Sequence, residues 1–159
     1  MKGMRTKASI VCIGGAKSIL DLGLTIEYLE THGVPVLGYQ TDVLPAFYSR
    51  TSPFRVDYRL DSAKEIAAFI ETKWALGLAG GIVVANPVPP EDELEESYIT
   101  AIIEQALKEA EEKRIIGKAV TPFLLDRVKT FTEGKSLQAN IALVKNNAAL
   151  AADLACELS

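Results

Sequence analysis

Short apolar runs alternate with longer stretches in which apolar residues recur every three or four positions, and this alternation predicts an α/β architecture. Ala8 to Ile13 predicts a buried strand. Ser18 to Thr31 has helical spacing, and Gly33 just beyond it predicts a stop, because glycine accepts the left-handed conformation that ends many helices. Gly23 inside that helix costs roughly 1 kcal/mol against alanine. Val34 to Tyr39 predicts a second strand, with Pro35 implying an edge or an entry position. Val56 to Leu60 predicts a third. Ser62 and Glu65 have the spacing of a capping box, so a helix is expected from there to Leu76, with Ile66, Phe69, Ile70, Trp74 and Leu76 on its buried side. Gly80 to Asn86 is the clearest buried strand.

The second half of the chain reads as helical. Ile99, Ile102, Ile103, Ala106, Leu107 and Ala110 form one stripe of a helix between Glu95 and Lys113. Thr121 and Pro122 predict a short helix with threonine as its cap. Ser136 is expected to cap a final helix reaching Leu158. Between the second and third strands, Gln40 to Arg55 lacks periodicity and carries Pro45 and Pro53. It predicts a long loop with a helical turn at Pro45 to Tyr48, and such loops are often functional.

The 159 residues, 48% hydrophobic, fit a single domain, 1–159, with a real core. Residues 1–7, short and basic, are expected to be disordered and lack the apolar centre of a signal peptide. No apolar run is long enough to span a membrane. The expected location is cytoplasmic, with no membrane partner. Cys12 and Cys156 then read as reduced packing residues rather than a disulfide. A net charge of −4 with no basic stripe argues against nucleic-acid binding but leaves room for one small anion.

Lys17 is the residue out of place. It follows a strand and two glycines and precedes a helix, at the edge where α/β sheets bind ligands. A cation at a helix amino end is disfavoured by about 0.3–1 kcal/mol. The misfit makes sense beside a bound anion, or for an amine nucleophile that forms a Schiff base. A P-loop is excluded, because Ala16 precedes the lysine and Val11 stands where the first glycine belongs. Asn140 and Asn147, two turns apart on the final helix, project to one side. Asn140 suits a polar ligand as well as it suits a structural role, whereas Asn147 reads as structural. His32 reads as a helix terminus favoured by the dipole. Asp42, Arg50 and Asp57 read as loop charges, Glu91 to Glu96 as a solvated helix start, and Trp74 and Phe69 as core.

Several runs together carry a resemblance: Gly15-Ala16-Lys17-Ser18-Ile19-Leu20-Asp21, Glu27-Tyr28-Leu29-Glu30-Thr31, Gly33-Val34-Pro35 and Pro45-Ala46-Phe47-Tyr48-Ser49-Arg50. To these add Lys73-Trp74, Val84-Ala85-Asn86-Pro87, Gly117-Lys118, Thr121 to Leu125, and Ser136 to Ala148 with Asn140, Asn146 and Asn147. From residue 8 onward the chain resembles the pseudouridine-5′-phosphate glycosidases, also called the indigoidine synthase A-like family. The resemblance implies a three-layer α/β/α sandwich around a mostly parallel or mixed sheet. It implies reversible cleavage of pseudouridine 5′-phosphate to uracil and ribose 5-phosphate, a divalent metal such as manganese (Mn2+), and a homotrimer. It matches the family's nucleophilic lysine to Lys17 and its base-contacting asparagine to Asn140.

The resemblance covers the carboxyl-terminal half of the family only, so the fold is expected to be incomplete relative to the full one. The family's proton-donating acid, a second substrate-contacting lysine and the metal-holding aspartate precede the matched region. No metal ligand is therefore assigned within this chain. Where the family shows Cys-x-Gly-x-Lys, Cys12-Ile13-Gly14-Gly15-Ala16-Lys17 carries one residue more. Three readings follow: an enzyme piece working in complex with an amino-terminal half, a non-catalytic sugar-phosphate or partner-binding module, and an unrelated Schiff-base aldolase using Asp21.

Overall fold

The computed structural model describes residues 9–15 and 22–159. Strands β1 (Ile10–Ile13), β2 (Val36–Tyr39), β3 (Tyr58–Leu60) and β4 (Ile82–Ala85) form one parallel sheet in the order β1-β4-β2-β3. Helices α1 (Leu22–Thr31) and α2 (Ala63–Ala75) connect β1 to β2 and β3 to β4. The two connections travel in opposite directions across the sheet. Right-handed crossovers then require the helices to lie on opposite faces.

The cores bear this out. Leu37 and Val84, register partners, face Ile66 and Ile70 of α2. Val36 and Val83, one residue away on each strand, face the other side with Leu22, Ile26 and Leu29 of α1. Adjacent strand residues point to opposite faces, and both faces are covered, so the strands read as unbroken apolar runs. Three further helices follow: α3 (Glu96–Glu112), α4 (Val120–Phe131) and α5 (Lys135–Glu157). Leu150 and Leu154 of α5 join α2 on its face of the sheet, giving the third layer. The start of α5 packs instead with α3 and α4, around Ile102, Ala106, Leu124, Val128 and Ala139.

The helix ends are set locally. Gly33, at φ 62°, stops α1: its N–H donates to Glu30 O at 2.9 Å and that of Val34 to Leu29 O at 2.9 Å. Pro35 marks an entry and not an edge, since β2 lies between β4 and β3 and Pro35 O accepts from Val83 N–H. The Ser62–Glu65 capping box is present at the start of α2.

Five local expectations are corrected. Trp74 and Leu76 are exposed, and the buried side of α2 runs Ile66, Ile70, Lys73. Lys73 lays its stem along that side, and its ammonium donates to Ala79 O at 2.7 Å, where the chain turns toward β4. Thr121 does not cap α4, which continues directly from a 3-10 turn at Gly117–Ala119. Ser136 lies within α5. The cap is Gly134 in the left-handed region, and the buried Thr132 hydroxyl accepts from Ser136 N–H at 3.1 Å. No helical turn forms at Pro45 to Tyr48, where Phe47 takes a φ of 67°. Cys156 is exposed and not a packing residue, while Cys12 packs on the sheet core; both are free thiols.

Tyr48, in the long loop, is buried against the α3–α4 core. Burial pushes its phenol above the usual tyrosine range, and the Ser136 hydroxyl partly opposes the shift. The unfolded chain therefore ionises first as pH rises. Tyr48 contributes stability that is fully present below the ordinary tyrosine pKa and is lost as pH climbs through the raised value. Alkaline urea titration is expected to show this loss, and Tyr48→Phe to reduce its slope.

Candidate active site

The carboxyl ends of β1 and β4 meet in a compact polar corner. The Asn86 N–H donates to Ile13 O at 2.7 Å, which extends the pairing of the two strands by one residue. Gly14 and Gly15 then leave β1. A Cβ on Gly14 would sit 2.1 Å from Leu143 of α5. A Cβ on Gly15, whose φ is +98°, would sit 1.7 Å from Pro45 O. The two glycines are thus dictated by close approach: α5 closes on one side and the long loop on the other.

That loop is well tied. Leu44 N–H donates to Phe54 O at 2.9 Å, and the Ser52 hydroxyl to Leu44 O at 2.5 Å. Arg50, read from the sequence as a loop charge, sends Nη1 to Val88 O at 2.6 Å, and its N–H donates to Glu93 Oε1 at 2.8 Å. The arginine joins the loop to the segment after β4. Of the other acids, Glu95 caps α3 by accepting from Ser97 and Tyr98 N–H; the Ser97 hydroxyl first, and then these two backbone bonds, hold its carboxyl below the usual range. Asp57 accepts from Val36 N–H at 2.7 Å, and Asp42 pairs with Arg59 at 2.8 Å. His32 bonds Tyr28 O and stacks on its ring at the exposed end of α1, as the dipole argument expects.

Three asparagines fill the corner. Asn86 Nδ2 donates to Asn147 Oδ1 at 3.2 Å, while Asn146 Nδ2 donates to Asn86 Oδ1 at 3.2 Å and to Pro87 O at 3.0 Å. The structural reading of Asn147 thus holds, but through a side-chain partner on β4's exit. Asn86 and Asn146 carry roles that the sequence reading left unassigned. The signal was present: an apolar strand run that ends in an amide must pair that amide if it is buried. Asn86→Leu is expected to cost about 2–3 kcal/mol by stranding the partner amides, read as a lower urea midpoint.

Asn140 lies two turns before Asn147 and one turn before Leu143, the residue against Gly14. It is half-buried, and among the described residues its amide has no hydrogen-bond partner. Lys17 and Asp21 lie outside the described residues. What is described is the frame around their segment: Gly14 and Gly15 on one side, α1 beginning on the other. Among the described residues no three histidine, cysteine or acidic side chains converge as a metal cage. No helix among the described residues is long and apolar enough to cross a membrane.

A parallel sheet wrapped on both faces, with a polar corner at its carboxyl edge, defines a doubly wound α/β fold, the class in which ligands bind at that edge. The Indigoidine synthase A like protein family matches residues 2–157, and the chain belongs to that family. It is 84% identical over 155 residues to a pseudouridine-5′-phosphate glycosidase of Geobacillus kaustophilus, covering 98% of this chain and 51% of the relative. It is 59% identical to the enzyme of that name from Escherichia coli, over 96% of this chain and 48% of the relative. Among solved structures, the prealnumycin C-glycosynthase AlnA, in complex with ribulose 5-phosphate, superposes with a TM-score of 0.84 at 34% identity, covering 95% of this chain and 50% of that one. An indigoidine synthase A-like protein from Thermotoga maritima gives a TM-score of 0.84 at 37% identity, with the same coverage of both chains. The chain spans about half the length of the curated relatives it matches.

Proposed function

We propose that this chain supplies the nucleophile-bearing and base-contacting half of a pseudouridine-5′-phosphate glycosidase, and that turnover requires the other half. The observation that supports this most directly is the corner itself. The exit of β1 toward Lys17 is packed against the turn of α5 that follows Asn140, through Gly14 and Leu143. The 84% identity to a protein of that name favours this substrate, and a solved relative in complex with a pentose 5-phosphate favours the same tail.

The chemistry needs a nucleophile because carbon 5 of uracil is a poor leaving group. The neutral Lys17 amine attacks C1′ and breaks its bond to the ring oxygen, which takes up a proton. An acid from the other half protonates carbon 5 of the base. The nitrogen lone pair then forms an iminium at C1′ as the C1′–C5 bond breaks, and its electrons restore the uracil ring. Water hydrolyses the iminium, releasing ribose 5-phosphate and the lysine. The Asn140 amide, which has no partner among the described residues, hydrogen-bonds the base during these steps. The acid and any divalent metal belong to the other half.

The test is reconstitution. The 159-residue chain, co-expressed with the complementary half of the Geobacillus kaustophilus relative, is expected to release uracil from pseudouridine 5′-phosphate, and neither half alone to do so. No release from a verified complex overturns the proposal. In the active complex, Asn140→Ala is expected to raise KM about tenfold, the scale of one lost hydrogen bond of about 1.4 kcal/mol.

A further inference from the structure

Helix α5 carries an apolar face that nothing described covers. Leu137, Ile141 and Val144 are 41%, 47% and 61% exposed, and Ala148, Ala151 and Ala155 continue the line in exposed positions. The spacing runs four, three, four, three, four, which keeps all six on one side of a helix. No charge interrupts the line. The large side chains lie toward the amino end of α5 and the alanines toward the carboxyl end, a surface that a second element can approach closely. The opposite side of α5 is already buried through Ala139, Leu143, Leu150 and Leu154.

The sheet has a matching opening. Among the described strands β1 pairs only with β4, so one edge of β1 has no described partner, and Val11 on it is 49% exposed. An open edge and an uncharged helix face are both features that folded chains usually cover.

We infer that the α5 face formed by Leu137, Ile141, Val144 and the alanines is the seat of the half of a full-length family chain that this chain does not span. Two observations favour that occupant. The chain matches only 51% of a relative to which it is 84% identical, so a polypeptide of nearly equal length is available to cover the surface. Asn140 is three residues from Leu137 and four from Val144, so whatever seats there borders the corner described above. This inference rests on the proposed division of the site between two halves. It adds which surface joins them.

The experiment co-expresses the full 159-residue chain with the affinity-tagged complementary half of the Geobacillus kaustophilus relative. It reads stoichiometry by light scattering, separately from turnover. A one-to-one complex is expected. Ile141→Glu with Val144→Glu is expected to cut recovery of the complex about tenfold or more, because a carboxylate buried without a partner costs at least the equivalent free energy. Ala149→Glu, off the stripe, is expected to leave recovery unchanged. Circular dichroism of each variant alone confirms the fold, and Val144→Lys repeats the test with the opposite charge. Absence of any wild-type complex overturns the inference. So does equal recovery from the double variant, or a homodimer of this chain that the double variant dissolves without affecting capture of the other half. A stripe-dependent complex without turnover would instead sink the functional proposal and leave the docking surface standing.

Discussion

Lys17→Ala, in the assembled two-half protein, is expected to lower kcat for pseudouridine 5′-phosphate by roughly 10³-fold or more, the scale on which losing a reacting group acts. Lys17→Arg is expected to lose as much. That second result separates the two roles a lysine can play at a strand exit. If Lys17 only held the phosphate by charge, arginine would preserve or improve the contact, since guanidinium binds phosphate in a fork and stays charged. As a nucleophile the residue must offer a neutral amine, which arginine does not. Steady-state kinetics on both variants, with complex formation checked by light scattering, makes the distinction.

Gly15→Ala is expected to destabilise the chain by about 2–5 kcal/mol, combining backbone strain at positive φ with a steric clash. The new Cβ would fall 1.7 Å from Pro45 O, a backbone atom that cannot swing aside. Domains are stable by only about 5–15 kcal/mol, so a large share of the whole is at stake. Urea unfolding measures it. Gly33 gives the comparison: its φ is also positive, but nothing lies within 4 Å of where a Cβ would be. Alanine there bears the strain without the clash and loses less. A Gly15→Ala chain as stable as Gly33→Ala would show that the long loop does not press on the β1 exit as described.

The sheet and its helices were legible because their signals are local. An unbroken apolar run such as Ile82 to Ala85 has one good home, between two covered faces. The Ser62–Glu65 cap needs only residues three apart. Failures came where distant contacts decide. Trp74 and Lys73 are neighbours on α2, and hydrophobicity alone selects Trp74 for the core. The carbonyls of Leu78 and Ala79, which accept from the Lys73 ammonium, select Lys73 instead, and they arrive from beyond the helix. Ser136 looked like a cap because serine caps helices, but Thr132, four residues earlier, already provides the acceptor. The Pro45 to Tyr48 segment is shaped by Gly15, against which Pro45 O packs, and by Leu94, whose N–H donates to Tyr48 O at 2.9 Å; neither is its sequence neighbour.

The candidate site divides along the same line. Asn140 was singled out from its place on a helix that carries a further asparagine, Asn147, two turns on. The pairing of Asn86 with Asn146 and Asn147 spans about sixty residues. No local pattern carries it; only the burial of an amide at a strand end hints that partners exist. Lys17 was singled out by a conflict between its charge and its place at a helix start, which is local chemistry. In the proposed mechanism the acid that protonates the base falls to the other half, so no residue of this chain signals it.

Sodium borohydride added to the reconstituted complex with ribose 5-phosphate is the sharpest probe. The open-chain aldehyde condenses with a neutral amine and loses water, and hydride reduces the resulting imine to a stable secondary amine. Peptide mass spectrometry is expected to find the sugar phosphate on a tryptic peptide left uncut at Lys17. Modification spread over surface lysines, or none at Lys17 in a complex that turns over substrate, would contradict the assignment of this residue as the nucleophile.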